Sequence, residues 1–155
     1  MDFDKMYTGY KHDQYNFCTI NEGAISFSDK YETGVSIIDE HHKIFVEIIN
    51  MLFHCSRHEL AKQVLMPSIT AFKHNMGVHY QTERLLLAFS DEAYATLYDM
   101  NYTELCRRLV IVEWELRKDF DIDPLVRFLK GWWLQHMESH AEFFRPYVSN
   151  PGVTH

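Results

Sequence analysis

The chain has 155 residues, enough for one domain with a substantial core, and its 46% hydrophobic and 24% charged residues argue against disorder. A net charge of -7 speaks against nucleic acid or anionic lipid as a principal partner, because both are held by cationic patches. No run approaches the roughly 20 apolar residues that span a bilayer. The polar, aromatic N-terminal stretch lacks the apolar run of a secretory signal. Cys18, Cys55 and Cys106 are scattered, without a CxxC pair, and fit a reducing cytoplasm better than a disulfide framework or a zinc site. A cytoplasmic location is the expectation.

Residues 1–24 show no sustained period and read as an extension. Five aromatics, Phe3, Tyr7, Tyr10, Tyr15 and Phe17, mark this arm either as folded back on its own domain or as an interface for a protein partner or a second copy. Residues 25–38 alternate apolar side chains around a glycine and are expected to form a loop packed on the domain.

Four amphipathic helical patterns follow. The first is expected to start at Asp39 as its N-cap and to run to about Cys55, with Ile38, His42, Phe45, Ile49 and Leu52 in line. The second spans about 59–88, with a kink expected at Pro67 and the seam Leu65, Ile69, Phe72, Met76, His79, Glu83, Leu86. The third covers about 93–118 and lines up Tyr98, Tyr102, Leu105, Leu109, Val112 and Leu116. The fourth opens at Asp123-Pro124 and is expected to stop near Pro146, with Leu125, Leu129, Trp132, His136, His140 and Phe143 on one face. Residues 149–155 form a short tail.

Alternating steps of three and four keep one helix face turned to a bundle core, and short connections favour antiparallel neighbours. The fold class is therefore all-α, an up-down-up-down four-helix bundle over residues 25–148. The remaining His74, His41, His54 and the pair Trp132 and Trp133 have plainer readings: His74 outward, His41 turned away from the seam, the tryptophans in the core or at its boundary. Glu113, Glu115, Arg117 and Lys118 read as a solvated helix face.

The polar residues that interrupt the seams are the informative ones. They are His42; His79 and Glu83; Tyr98 and Tyr102; His136 and His140, each pair spaced four apart and so sharing a face. His42 and the tyrosines lie near the starts of the first and third helices; the others lie near the ends of the second and fourth. In an up-down-up-down bundle those are the same end. Buried polar groups need partners, which a metal ion or a closed hydrogen-bond network supplies.

At these residues the chain resembles bacterial hemerythrins, over about residues 27–147. The segments that carry the resemblance are GVSIIDEHHKIFVEIINML (34–52), HYQTERLL (79–86) and WWLQHMESHAEFFRPYV (132–148). The resemblance implies a helical bundle with non-haem iron, His42, His79 and His136 as ligands and Glu83 as an iron-bridging carboxylate. It also shows where the pattern breaks. Both histidines of the third helix fall at Tyr98 and Tyr102, and the second bridging carboxylate falls at Ala141.

With three of seven ligand positions lost, the paired-iron, two-electron binding of dioxygen in this family is not expected here. Three readings follow. The first is a metal-free, non-enzymatic pseudo-hemerythrin, its site residues vestigial, acting as an interaction, assembly or signalling module. The second is a single non-haem iron on His42, His79 and Glu83, with His136 or His140, that senses or binds dioxygen, nitric oxide or redox state or performs oxidative chemistry. The third is a two-metal site in which Tyr98 or Tyr102 and His140 substitute for the missing ligands.

Overall fold

The structure, a computed structural model, describes residues 23–56, 61–119 and 121–149. The aromatic residues of the N-terminal arm, together with Cys18, His12, His58 and His155, lie outside the described residues. Four helices make up the bundle: α1 (Ser36–Ser56), α2 (Ala61–Ser90), α3 (Glu92–Asp119) and α4 (Asp123–Ser149). Helices α1 and α3 each pack on both α2 and α4, the ring of neighbours that short antiparallel connections produce. Among the described residues there is no strand, and no helix is long and apolar enough to cross a membrane.

Helix α1 starts three residues before Asp39. Val35 supplies the first carbonyl, accepting from the backbone of Ile38 and Asp39. Asp39 instead sits in the first turn, and its carboxylate reaches back to accept from the Thr33 backbone (2.8 Å), the Thr33 hydroxyl (2.8 Å) and the Gly34 backbone (3.2 Å). A carboxylate there also complements the positive end of the helix dipole. The tight turn takes Gly34 to φ 82°, and Val148 of α4 lies against it, so a side chain at this position would meet both strain and contact.

The other boundaries also differ from expectation in instructive ways. Helix α2 is continuous through Pro67, and α4 continues through Pro146 to Ser149. A proline so near the C-terminal end removes a single backbone bond, while the Phe143–Tyr147 ring contact at 5.2 Å supports the last turn. The segment before α1 carries a short 3-10 turn at Asp29–Tyr31 and buries Ile25 and Tyr31 in the main core. Asn50 of α1 holds it by two bonds to the Ile25 backbone (2.7 and 2.9 Å).

Most predicted seam positions are buried, while Tyr102 and Val112 of α3 are half-buried at its edge. Ile38, Phe45, Ile49 and Leu52 of α1 and Leu125, Leu129, Trp132 and Phe143 of α4 are all buried. On α2 the final seam position is Leu87, fully buried, rather than Leu86. Burial of each such side chain contributes roughly 1.5–3 kcal/mol. Two apolar clusters result. The larger one includes Phe45, Met76 and Trp133; the smaller, of Leu87, Tyr94, Ala95, Tyr98, Phe143 and Phe144, closes the end where α2 stops and α3 starts. The polar side chains lie between the two.

Candidate metal centre

The site is assembled by helix phase. His42 lies within the second turn of α1. His79 and Glu83 share one face of α2, four residues apart, and His136 and His140 share one face of α4. Tyr98, in the second turn of α3, completes the ring from the fourth helix. His42 and Glu83 are wholly buried, and His79, His136, His140 and Tyr98 nearly so.

One ligand atom from each of His42, His79, Glu83 and His136 falls within 4.8 Å of every other. Around Glu83, the His79 Nε2 lies 3.1 Å from Oε2, the His136 Nε2 3.4 Å from Oε2, and the His42 Nε2 3.7 Å from Oε1. The His79 and His136 Nε2 atoms approach to 2.9 Å. His140 donates from Nδ1 to Glu83 Oε1 at 2.7 Å, and Tyr98 donates its hydroxyl to Glu83 Oε2. The Glu83 carboxylate is the hub of the whole arrangement.

Burial governs the charges. By itself it would raise the Glu83 carboxyl, but His140, His79 and His136 together outweigh it and hold the group well below the usual carboxylate range. Burial lowers the His42 imidazole to about 4, against the raising pull of Glu83. Burial, reinforced by His140, takes His136 well below its ordinary value, so both rings stay neutral, the form that ligates metals. An ionised carboxylate beside the neutral imidazoles of His42 and His136 gathers lone pairs that could serve a cation.

The cluster is of a size that could hold one ion, its four ligand atoms all lying within 4.8 Å of one another. Zinc or iron bonds to imidazole of about 2.0–2.1 Å place tetrahedral donors about 3.3 Å apart; His79 and His136 lie 3.1 and 3.4 Å from Glu83 Oε2 and 2.9 Å from each other, while the full set of four spreads to 4.8 Å, so His42 would have to move inward to complete it. Both ring nitrogens of His42 are buried without a hydrogen-bond partner, as is Nδ1 of His79. Each such orphan costs about 1–3 kcal/mol, and an ion on Nε2 of His42 removes one of them. Two Nε2 atoms at 2.9 Å need something positive between them, a shared proton or a metal. Among the described residues the cluster holds one carboxylate, and Ala141 stands, fully buried, at the position where the resemblance would put a second.

The expected residues divide into those the fold brings together and those it does not. His42, His79, Glu83 and His136 converge; His140 and Tyr98 reach the site through Glu83. Tyr102 turns aside. Its ring stacks on Tyr80 with centroids 3.8 Å apart and planes 9° from parallel, and burial raises its phenol to about 12, helped by a hydrogen bond with Cys106. His41, expected to point away, lies with its ring 5.6 Å from that of His79 and is half-buried. His74 is exposed as expected. Glu113 departs from a solvated face: it is largely covered and pairs with Lys73 at 3.0 Å.

Sequence reasoning missed two contributors. Trp133 forms a wall of the site, with its ring 5.3 Å from both His42 and His79 and 4.8 Å from His136. Tyr80 stacks on Tyr98 at 5.4 Å and donates its hydroxyl to Asp99 at 2.5 Å; burial, then Asp99, raises its phenol to about 12. Beside the donors, Met76, His79, Tyr98, Tyr102, Trp132 and His136 line a cavity of about 20 Å³, room for one water-sized molecule. In comparisons with family models, curated proteins and solved structures, nothing matches this chain.

Proposed function

We propose that this protein is a hemerythrin-like bundle that binds a single non-haem iron on His42, His79, His136 and Glu83, and that it acts as a binder or sensor of a small ligand or of redox state. The observation that carries this reading is the buried convergence of three imidazoles and one ionised carboxylate, with both His42 nitrogens otherwise unpartnered. Three imidazoles and a carboxylate suit Fe(II), with Zn(II) the nearest competitor. Bound there, iron would supply an open coordination position and a one-electron couple. The chain's own residues set the conditions: Glu83 neutralises charge, His140 and Tyr98 hold that carboxylate in place, and Trp133 with Phe45 keeps water away. The small cavity beside His79 and His136 suits a ligand of one or two heavy atoms. The missing second carboxylate argues against a paired-iron oxygen carrier.

A second reading has an observation of its own. Tyr98 and His140 both bond Glu83 directly, so the carboxylate is satisfied without any ion. On that basis the cluster would be a metal-free polar core, and the protein a scaffold acting through its surface. Metal analysis of protein made under iron-replete, anaerobic conditions separates the two. One iron per chain, with no oxo-bridge absorption after exposure to air, is expected. Protein that takes up no metal would establish the scaffold, and two irons with reversible oxygenation would overturn both readings.

A further inference from the structure

Three tyrosines stack side by side where α2 meets α3. The rings of Tyr102 and Tyr80 lie 3.8 Å apart and nearly parallel, and those of Tyr80 and Tyr98 lie 5.4 Å apart at 19°. The inner member, Tyr98, donates its hydroxyl to Glu83. The middle member, Tyr80, donates to Asp99 at 2.5 Å, and Arg84 holds that carboxylate through Nε at 2.8 Å. Asp99 reaches the surface, with 38% of its side chain exposed. A half-buried phenol needs a partner, and here that partner is a carboxylate fixed by an arginine at the surface. The same arrangement suits an oxidisable phenol, because a base within hydrogen-bond reach takes the phenolic proton as the electron leaves and so eases the oxidation.

We propose that Tyr80 is a one-electron redox residue and that the Tyr102–Tyr80–Tyr98 stack is a charge relay between the protein surface and the polar core. An outer-sphere one-electron oxidant at the surface takes one electron from the Tyr80 phenol. The O–H proton passes along the existing hydrogen bond to the Asp99 carboxylate, leaving a neutral phenoxyl radical on Tyr80, a neutral carboxylic acid on Asp99, and the oxidant reduced by one electron. Ring contact with Tyr98 extends this path to Glu83. That the relay serves an ion at Glu83 rests on the proposed function; oxidation of Tyr80 itself does not.

The test therefore uses full-length, chelator-treated protein. Flash photolysis with a ruthenium(II) polypyridyl complex and an irreversible electron acceptor generates ruthenium(III), and freeze-quenched electron paramagnetic resonance reads the radical. The wild type is expected to give a persistent tyrosyl signal. Tyr80→Phe, which keeps the stacked ring, is expected to lower it at least fivefold. Asp99→Asn is expected to slow its formation about tenfold, and the control Tyr147→Phe to leave it unchanged. An equal signal of the same hyperfine shape in Tyr80→Phe, or formation in Asp99→Asn at the wild-type rate, overturns the assignment. Far-ultraviolet circular dichroism on each variant establishes that the bundle is intact, and the Asp99 rate decides the matter if Tyr80→Phe does not fold. Because no metal is present, failure here is distinct from failure of the iron site.

Discussion

The polar layer has two unlike halves. Helices α1, α2 and α4 contribute imidazoles and a carboxylate, groups that share lone pairs with a cation. Helix α3 contributes phenols: Tyr98 donates a hydrogen bond to the carboxylate, and Tyr102 stacks on Tyr80 in the wall of the small cavity. One half presents lone pairs, and the other presents hydrogen-bond donors and stacked rings. The difference teaches that one buried carboxylate can serve both halves at once: imidazoles gather around it from three helices, while the fourth reaches it only through a phenol hydrogen bond.

The largest effect should come from the hub. Glu83→Ala is expected to reduce iron from one per chain to none and to lower stability by about 3–5 kcal/mol, as loss of one partner from a buried charged network does. Elemental analysis and denaturant unfolding check both, and retained iron would break the distinction between the halves. Next comes conversion of the phenol side into a coordinating one. The combined Tyr98→His, Tyr102→His and Ala141→Asp protein is expected to take up two irons, and a stoichiometry that stays at one would show that the α3 backbone no longer presents ligands.

Acid should erode the coordinating half first. The His42 pKa is near 4 in the folded protein against 6.5 in an unfolded chain, so the unfolded chain binds the proton first as pH falls. Stability is then lost between about pH 6.5 and 4, by roughly 3 kcal/mol. Glu83, whose folded pKa is depressed, extends the loss below its unfolded value of 4.5. Unfolding midpoints of metal-free protein across this range measure the slope, and His42→Phe should flatten it. The smallest effects lie on the phenol side. Tyr98→Phe should cost about 1.5–3 kcal/mol, the worth of a hydrogen bond to a charged group, and Tyr102→Phe only about 0.5–1.5. Both should keep one iron, and equal costs would erase the asymmetry between the two tyrosines.

Much of this was readable in the chain itself, because helical period is a strong signal. Ile38, His42, Phe45, Ile49 and Leu52 fall into line by spacing alone and are all buried. The four-apart pairs placed His79 beside Glu83 and His136 beside His140. The ends were harder, since they depend on side chains folding back from outside the helix, as Asp39 does to Thr33. Tyr102 shows the limit of period. It lies four residues from Tyr98, yet a broad aromatic partner, Tyr80, draws its ring out of line. Nothing in the local pattern marks Tyr80 or Asp99, whose importance comes only from the meeting of two helices.

The near-parallel stacking of His136 against Trp132 and Trp133, at 4.9 Å and 20° and at 4.8 Å and 21°, has a kinetic consequence. A ring packed against two bulky indoles that also contact each other at 5.4 Å has little freedom to swing toward them. Uptake and release of an ion at the proposed site would then be slow, so that stripping one calls for long incubation with a chelator.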